Sequence, residues 1–538
     1  MTSLKENKWI FNNKLDLTAL KLITETYDIS ELEAQFIVNR KLDPEKFFNG
    51  RISHYLKDVT LADVDKLVER LAVAIKTKER VAILGDYDVD GITSTVMLIS
   101  LFRHCNIDYK YVIPNRSDGY GHSLAQINKL DEKLVIMLDC GSSLEVTNCA
   151  KDICIIDHHQ VSKNPDVCAF VNPYRFDVNP IEQENYRGLC TAGLVFIVIV
   201  QLVQKLNLDF DFKLLLDLVA LATIGDCMEL INLNRDYVKY GLQVINSRKR
   251  LGLKFLIDNL GLRYMSASQM AFYVCPCINA AGRISSPDLA VKLLCTQDIQ
   301  EAHKLSRTLI GLNERRKMLE KECLQEALKQ TSNPDKCIIV KNSEWNAGLV
   351  GIIAGKIKDK FELPTFVLYK KGDLWKGSAR STNCVNIGVL INKCILNGVA
   401  LEGGGHRAAG GISIPSDKLE EFIIFVQREV KIDTKLDKTV IIDYECQLDE
   451  VQSISVDKIH PFGIGNKSPV VVIKDVVLEN AVLYKEHIRM LLNRNGFKLS
   501  LFAFNWFDLY HKLPIGQKVD ILVTIQENNN FFLIDMSD

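Results

Sequence analysis

The sequence predicts an α/β protein with several domains: a parallel-sheet domain, a long connecting helix, a smaller second α/β domain and a C-terminal β-barrel. First, short and continuously apolar runs alternate with helical stretches between 76 and 235, which is typical of a parallel sheet covered on both faces. Second, apolar residues recur at helical spacing from 299 to 330, which predicts one long helix. Third, short strand-like runs separated by turns fill 437 to 538, the pattern of a small barrel.

The 538 residues exceed what one hydrophobic core supports. We predict an N-terminal helical cap over 1–75, resting on the next domain, because apolar residues there keep to one helical face. These residues are Leu61, Val64, Leu67, Val68, Leu71 and Ile75. The parallel-sheet domain is predicted at 76–235, with strands in the runs VAILG, YKYVIP, LVIMLD and ICIIDH.

The rest of the chain divides into three predicted parts: a helical region with the long connecting helix at 236–335, the second α/β domain at 336–432 and the barrel at 437–538. A helix in the second α/β domain superficially resembles a phosphate-binding P-loop. Val350 stands where the first glycine belongs and Ile357 where Ser or Thr belongs. The spacing therefore argues against nucleoside-triphosphate binding.

Composition excludes several classes of protein. The net charge of -1 argues against a uniformly basic surface that coats nucleic acid, so any nucleic-acid path is expected to be a local basic groove. The sequence has neither a secretory signal at its start nor an apolar run of membrane-spanning length. The 15 cysteines never show C-x-x-C spacing, which favours reduced thiols and a cytoplasmic protein.

Acidic residues and histidines follow successive apolar elements. Asp86, Asp88 and Asp90 follow the first strand, Asp139 ends a later one, and the run Asp157-His158-His159 ends another; Asp226 follows an apolar helix. The carboxyl ends of parallel strands meet at one edge of the sheet, where function collects. Close carboxylates repel one another unless cations neutralise them. We therefore predict a metal site at this edge.

A single Asp at a strand end is usually a helix cap, and paired histidines are often one buried and one surface residue. The occurrence of acids and histidines together, after successive apolar elements, favours metal binding over these ordinary roles. Mixed carboxylate and imidazole ligands suit Mn²⁺, with Mg²⁺ as a harder substitute. Two such ions support in-line displacement at phosphorus.

The motifs DYDVDG, LDCGSS, IIDHH and ATIGD resemble the four successive motifs of the DHH phosphoesterases. Further along, CINAAGRI, WNAGLVGIIAGK, KGSARS and GGGHRAAGG resemble the RecJ branch with its DHH-associated domain, and HPFGIGNKSP is similar to the opening of the RecJ OB-fold. The resemblance runs in order from about 75 to 470. It implies a DHH domain, a DHH-associated domain and an OB-like barrel.

The resemblance also implies roles for individual residues. Two metal ions would be held by Asp88, Asp90, Asp139, His158 and Asp226, with Asp139 as a bridge; Asp90 and Asp139 would thereby act in catalysis. His159 would face the scissile phosphate as a ligand or an electrophilic donor. Asp86 would complete the outer metal site or pin its loop. Leu84 stands where several relatives outside RecJ carry a metal-binding histidine, so we expect one metal to bind more weakly. Asn346 stands where RecJ-like proteins often carry histidine, so no role is assigned to its side chain.

A terminal 5′-phosphate is a dianion, and its recognition calls for arginines with hydroxyl or backbone donors. The resemblance assigns this pocket to Arg116, Arg283, Ser378 and Arg380, and it places His406 near the cut. The ordinary alternative for each arginine is a salt bridge. Aromatic residues also alternate at Phe502, Phe504 and Trp506. We predict that they lie in the barrel core rather than forming a stacking ladder.

The resemblance implies a 5′-to-3′ exonuclease that hydrolyses single-stranded DNA to 5′-mononucleotides with two divalent ions, in DNA repair and recombination. The protein is expected to be a monomer that does not bind a membrane. A helicase and a single-stranded-DNA-binding protein are its expected partners. The chain ends soon after the barrel, so contacts through a further C-terminal domain are expected to be absent. Two alternatives stay open: a DHH phosphodiesterase of short oligonucleotides, cyclic dinucleotides or pyrophosphate, and a non-catalytic DNA-binding scaffold.

Overall fold

The structure is a computed structural model that describes residues 3–11, 17–116, 119–147, 149–331, 336–382, 385–431, 439–527 and 530–537. Across these ranges, none of the helices combines the length and the apolar character that crossing a bilayer requires. The domain limits predicted at 1, 335, 432, 437 and 538 lie outside the described residues.

The N-terminal region is a short strand followed by helices. Its elements are β1 Lys8–Phe11, α1 Leu17–Tyr27, α2 Glu31–Asn39, α3 Pro44–Asn49, α4 Ile52–Lys57 and α5 Val64–Thr77. Ser30 and Glu33 form a reciprocal capping box that starts α2. Asp43 caps α3, whose first residue is Pro44. The apolar face predicted from Leu61 to Ile75 is buried.

The first α/β domain contains a parallel sheet with the order β3-β2-β4-β5-β6. Its strands are β2 Val81–Leu84, β3 Tyr109–Val112, β4 Leu134–Leu138, β5 Asp152–Ile156 and β6 Ala169–Val171. Its helices are α6 Val89–His104, α7 Leu124–Asn128, α8 Thr191–Leu206 and α9 Leu216–Gly225. Successive residues of β4 enter opposite cores, since Ile136 packs in one and Val135 in the other. The predicted sheet, covered on both faces, is confirmed.

Helices connect this domain to the next one. They are α10 Asn232–Asn246, α11 Leu251–Asn259, α12 Ala267–Gln269, α13 Cys275–Ile284, α14 Asp288–Cys295 and α15 Ile299–Lys329. A π turn at Met270–Val274 joins α12 to α13. The long helix predicted from 299 to 330 is α15, whose 31 residues span about 46 Å at about 1.5 Å per residue. The limits predicted at 75 and 235 fall inside α5 and α10, so we propose the domain divisions at the ends of these helices.

The second α/β domain has a mixed sheet in the order β10-β11-β9-β8-β7. Its elements are β7 Ile338–Lys341, α16 Val350–Phe361, β8 Thr365–Lys371, β9 Leu374–Arg380, α17 Ile387–Leu396, β10 Glu402–Gly405, β11 Ala409–Pro415 and α18 Leu419–Glu429. β7 and β8 are parallel, and the other pairings are antiparallel. The predicted glycine cluster forms β10, β11 and the turn between them.

The C-terminal region forms a barrel. The barrel sheet contains β13 Tyr444–Gln447, β14 Val470–Tyr484, β15 His487–Arg494, β16 Phe497–Ala503, β17 Lys518–Gln526 and β18 Asn530–Ser537. The preceding strand, β12 Thr439–Ile442, forms a separate two-stranded sheet with β1. β14 pairs with β15 and also with β17, and β18 joins β16 to β17. These pairings close the sheet on itself, as the OB-like prediction requires.

The N-terminal region is divided between two domains and is not a single cap on the first α/β domain. The residues Leu32, Phe36 and Ile37 of α2 share a core with the barrel, and β1 pairs with β12. By contrast, α4 and α5 pack on the first α/β domain. The sequence correctly predicted the amphipathic face of α5. The prediction was wrong in assuming that the whole N-terminal region packs, as α5 does, on the first α/β domain.

The prediction that Phe502 and Phe504 lie in the barrel core is wrong. Leu501 and Ala503 are the buried residues of this part of β16, so alternation turns Phe502 to the outside. The strand ends at Ala503, which places Phe504 in the following turn. Phe502 and Phe504 are 37% and 46% exposed, whereas Trp506 is fully buried, as predicted.

Candidate metal centre and phosphate pocket

The carboxyl edge of the parallel sheet brings the predicted acids and histidines together. The chain leaves β2 toward β3 on one side, and β4 pairs on the other side of β2, so the strand order reverses between β2 and β4. Ligands bind at such reversal points in α/β sheets. The loops after β2, β4 and β5 carry Asp86 to Asp90, Asp139, and Asp157 to His159.

The loop after β2 is fixed by its own helix. Asp88 caps α6, since its Oδ1 accepts from the amides of Asp90 at 3.0 Å and Gly91 at 3.3 Å. A Cβ at Gly91 would lie 2.6 Å from the backbone nitrogen of Asp86, closer than packing permits. From α13, the Asn279 side chain accepts a 3.1 Å hydrogen bond from the Val89 amide.

His158 lies between three carboxylates. Its Nε2 is 3.4 Å from Asp139 Oδ1, 3.4 Å from Asp226 Oδ2 and 3.8 Å from Asp90 Oδ2. Asp226 reaches this position as the C-terminal cap of α9. Asp139 follows β4 with a φ of 62°, a left-handed conformation that Asp tolerates better than most residues.

The described residues contain three groups whose ligand atoms lie within 4.8 Å of one another. They are Asp90 with His158 and Asp226, Asp86 with Asp88 and Asp139, and Asp139 with His158 and His159. Asp139 and His158 each belong to two groups. This arrangement provides two adjacent oxygen-rich positions with shared residues.

The first turn of α8 holds one of these acids. The amides of Thr191 and Ala192 donate to Asp90 Oδ2 at 2.7 Å and Oδ1 at 2.8 Å. The Thr191 hydroxyl donates to Asp139 Oδ1 at 3.0 Å. A helix N-terminus favours a carboxylate through its free amides and its dipole, so α8 fixes Asp90 and Asp139 relative to each other.

The acids repel one another in the absence of a cation. Burial, together with the charges of Asp90 and Asp88, raises the pKa of Asp226 to about 8. Burial also raises the pKa values of Asp86, Asp90 and Asp139, with neighbouring carboxylates adding to the effect. The buried oxygens Asp86 Oδ1 and Asp226 Oδ2 have no hydrogen-bond partner among the described residues. Hard oxygen donors with two orphaned atoms fit divalent cations such as Mn²⁺ and Mg²⁺.

The two adjacent histidines differ in protonation. Burial lowers the pKa of His158, which favours the neutral imidazole that binds a metal. For His159, burial opposes protonation, but the hydrogen bond to Asp157 raises its pKa to about 9. Its Nδ1 lies 2.7 Å from Asp157 Oδ1 and 3.1 Å from the Tyr120 hydroxyl. His159 is therefore a cation that faces the acids.

The predicted phosphate residues line one cavity of about 1340 Å³ between the two α/β domains: Arg116, Arg283, Ser378, Arg380 and His406. His159 and Asp157 line the same cavity, so it reaches the acid edge of the sheet.

Each arginine of the cavity is fixed by a different contact. Arg380 donates to Ser378 Oγ at 2.7 Å and to the Ala379 carbonyl at 2.8 Å. Arg283 donates to the Gly348 carbonyl at 2.8 Å. The guanidinium of Arg116 lies 4.1 Å from the centre of the Tyr87 ring, and its buried Nε has no partner among the described residues.

Positive charge accumulates in this cavity. Burial and the nearby charges of Arg116 and Arg316 lower the pKa of Arg283 to about 10. Burial, followed by the charge of Arg116, also lowers the pKa of Arg380. Described carboxylates form no ion pair with Arg116, Arg283 or Arg380, so the salt-bridge alternative finds no support in this part of the structure. The cavity suits a dianion with several acceptor oxygens.

Several residues that build the site were not selected from the sequence. Asp157 was noted as part of the histidine run, but its role as the partner of His159 emerges only from the structure. Thr191 and Ala192 contact Asp90, and Asn279 contacts Val89. In each case the two partners are more than 100 residues apart in the sequence. The motif CTAG at 190–193, at the start of an apolar helix, is the signal that would have indicated an anion-binding helix N-terminus.

Family models match the three folded parts in order. The N-terminal domain of the DHH family matches residues 80–223, the DHHA1 domain matches 335–432, and the RecJ OB domain matches 442–530. Together with the acid and histidine groups, they define the class: a DHH-type phosphoesterase with a DHHA1 domain and an OB domain.

Relatives and solved structures narrow the assignment. The single-stranded-DNA-specific exonuclease RecJ of Escherichia coli strain K12 is 31% identical, with 68% of this chain and 68% of that protein aligned. RecJ of Bacillus subtilis strain 168 is 29% identical over 96% of this chain and 68% of that protein. The chain belongs to the RecJ family.

Solved structures confirm the fold. RecJ of Thermus thermophilus, determined in complex with Mn²⁺, has a TM-score of 0.84 at 22% identity and covers 99% of this chain and 80% of that one. A structure of exonuclease RecJ bound to manganese has a TM-score of 0.59 at 28% identity, covering 69% of this chain and 94% of that one.

Proposed function

We propose that this chain hydrolyses single-stranded DNA from its 5′ end and releases 5′-mononucleotides, using two divalent cations. The observation that carries the proposal is one cavity in which three partly buried arginines and the cationic His159 lie beside the acid groups. A site that binds a terminal dianion next to a site that cuts a diester is an exonuclease site. The activity named for the relatives is that of a single-stranded-DNA-specific exonuclease.

The acid groups would hold the two cations. Asp90, His158 and Asp226 would bind one, and Asp86, Asp88 and Asp139 would bind the other, with Asp139 as the bridge. When bound, such a pair of ions neutralises the phosphate and lowers the pKa of water. Mn²⁺ suits the mixed nitrogen and oxygen donors, and Mg²⁺ is the harder substitute.

His159 would act as a proton donor, and Asp157 keeps it protonated. Asp157 accepts from Nδ1 and keeps the imidazole charged, which leaves the Nε2 proton for a non-bridging oxygen of the scissile phosphate. A fixed donor of this kind stabilises charge that grows in the transition state.

The arginine cavity would select the end of the strand. Arg116, Arg380 and Ser378 would take the 5′-phosphate, with Arg283 behind them. His406, at the turn between β10 and β11, would contact the nucleotide near the cut. Because the phosphate pocket and the acid edge share one cavity, a bound 5′ end would present the first diester to His159, and the product would be a mononucleotide.

Strands labelled at the 5′ or the 3′ end, with and without a 5′-phosphate, provide the direct test. With Mn²⁺ or Mg²⁺, we expect the 5′ label to appear at once in mononucleotides. The strands that carry the 3′ label should shorten progressively. Release from the 3′ end first would contradict the polarity.

The alternatives predict other results. Faster turnover of a dinucleotide than of a long single strand would favour a short-oligonucleotide phosphodiesterase. Activity of Asp139→Ala equal to that of the parent would favour a scaffold whose cleavage comes from a contaminant. We expect that variant to lose at least about 100-fold in rate, the scale on which metal centres respond to loss of supporting groups.

We place this activity in the cytoplasm, in DNA repair and recombination. A helicase and a single-stranded-DNA-binding protein are proposed partners that supply and present the strand to a monomeric enzyme. Sedimentation of the purified chain tests the monomer, and co-purification from cells tests the partners.

A further inference from the structure

Two cysteine side chains of the first α/β domain meet away from the acid edge. Cys154 lies in β5 and is buried, whereas Cys168 lies in the bend that enters β6 and is exposed. Each thiol shifts the pKa of the other, as expected of neighbouring side chains. The Cys168 amide donates to the Ile153 carbonyl at 2.8 Å. The backbone therefore holds the two thiols side by side.

The backbone spacing also suits a covalent bond. Cys154 is in register with Ala169, so Cys168 is one residue away from the directly opposed position. A strand separation of about 4.8 Å and a rise of about 3.3 Å per residue place the two Cα atoms about 6 Å apart. Disulfides usually form over Cα separations of about 4.4–6.8 Å.

The two sulfurs differ in chemical character. The hydrogen bond from Cys154 lowers the pKa of Cys168 to about 6, and the Arg70 guanidinium contributes in the same direction, although partial burial and Asp152 oppose it. The same hydrogen bond, together with burial, raises the pKa of Cys154. At neutral pH the exposed sulfur is a thiolate, the form that reacts with oxidants, and its neighbour keeps its proton.

The other cysteines that the structure describes lack this combination. Cys227 is exposed, but burial of its sulfur and the charge of Asp226 raise its thiol pKa. Cys337 and Cys394 lie near each other, but both are buried and both have raised pKa values. An exposed thiolate beside a buried thiol is what a two-step oxidation requires.

We propose that Cys168 and Cys154 form a reversible intrachain disulfide when the protein meets hydrogen peroxide. The Cys168 thiolate attacks one peroxide oxygen, the O–O bond breaks, and hydroxide leaves, which gives a sulfenic acid. The Cys154 sulfur then attacks the Cys168 sulfur, and the sulfenic oxygen departs as water with the Cys154 proton. The two sulfurs lose two electrons in total, and the peroxide is reduced to two waters. A dithiol reverses the reaction.

Peroxide treatment of the full chain, loaded with redox-inert Mg²⁺, tests the proposal. After free thiols are blocked and the protein is digested, we expect a peptide pair joined through Cys154 and Cys168 that separates on addition of dithiothreitol. In Cys168→Ser, Cys154 should remain free to the blocking reagent. In Cys154→Ser, Cys168 should accumulate as a sulfenic acid that dimedone traps.

Clear results would overturn the proposal. One is a free Cys168 at a peroxide dose that has already oxidised Cys227; another is a bond from Cys168 to a cysteine other than Cys154. DNA cleavage by both variants before peroxide serves as the folding control, because neither side chain contacts the acid groups. If Cys154→Ser proves unstable, the exposed Cys168→Ser variant alone decides whether oxidation of Cys154 depends on Cys168.

Discussion

At the residue scale, immediate neighbours set the charge of each group in the site. His158 and His159 are adjacent in sequence, and their pKa values shift in opposite directions. The difference arises because Asp157 accepts a hydrogen bond from His159, while His158 is buried among groups that also repel one another. His158 is therefore a neutral imidazole, the form suited to metal binding, and His159 is a cation.

Replacement of Asp157 tests this division of roles. In Asp157→Asn, the pKa of His159 should fall, because the negative partner that raised it is gone. We expect the cleavage rate to drop by about 10-fold to 100-fold, the usual cost of losing a supporting partner at a metal site. On the alkaline side of the pH profile, kcat of the variant should fall at a lower pH than kcat of the parent. Calorimetry should find Mn²⁺ binding retained; an unchanged pH profile would contradict the role of the pair.

Replacement of Arg380 tests the phosphate pocket. Arg380→Ala removes a partly buried cation that donates a hydrogen bond to Ser378. Hydrogen bonds to charged groups contribute about 1.5–3 kcal/mol, so the preference for a 5′-phosphate over a 5′-hydroxyl should fall by at least about 10-fold. Arg428→Ala, which changes an arginine of α18 outside the cavity, is the control. An unaltered preference in Arg380→Ala would assign end recognition to other residues.

The sequence was sufficient to locate the acids of the site and insufficient to explain how they are held. Asp86 to Asp90, Asp139 and His158 follow apolar strands, and parallel strands deliver their carboxyl ends to one edge. The contacts of Asp90 with the α8 amides depend on how a distant helix packs, and no local pattern records that. The functional roles of these acids and of His158 stay predictions until the variants are measured.

At the element scale, the strand face of β16 determines what the barrel offers to a ligand. Phe502 and Phe504 lie with ring centres 6.2 Å apart and planes 19° apart, and Phe532 packs edge-on against Phe504. Strand alternation predicts two faces, but it does not say which face is buried. The aromatic residues of β16 were therefore assigned to the wrong side.

We propose that the exposed rings stack on bases of a bound strand. Stacking of a base on an aromatic side chain contributes about 1–3 kcal/mol, so Phe502→Ala combined with Phe504→Ala should raise KM for a long strand by about 10-fold or more. Cleavage of a dinucleotide, which has no bases beyond those that flank the cleaved diester, should not change. Phe497→Ala, an exposed phenylalanine at the other end of β16, is the matched control. Equal effects on both substrates would exclude a binding role for the rings.

At the scale of the whole molecule, a polar cavity of about 620 Å³ lies where the N-terminal helices, α10 and the barrel meet. It is lined by residues that include Tyr27, Lys239, His460 and Glu527. Glu527 Oε1 is buried and has no partner among the described residues. Burial raises the pKa of Glu527 to about 7, although the Phe462 amide acts against the shift.

This junction should make stability depend on pH. The folded pKa of Glu527 exceeds its ordinary value of 4.5, so its carboxyl is favourable below about pH 4.5 and loses that stability as pH rises through about 7. Glu527→Gln should raise the free energy of unfolding at pH 8 by about 1–3 kcal/mol and change it little at pH 5. Urea unfolding at both pH values measures the difference. The same gain at both would refute the ionisation argument, and Glu486→Gln on the surface is the control.

The pairing of residues 3–11 and 17–39 with the barrel has a consequence for synthesis. Asn7 and Trp9 donate to Asp535, and Phe36 is buried beside Phe462. A ribosome makes the N-terminal helices well before their barrel partner, so Phe36 and Ile37 remain without that partner until the barrel strands have been translated. The nascent chain must keep this apolar segment from aggregating during the interval, which makes it the natural place for a chaperone to bind.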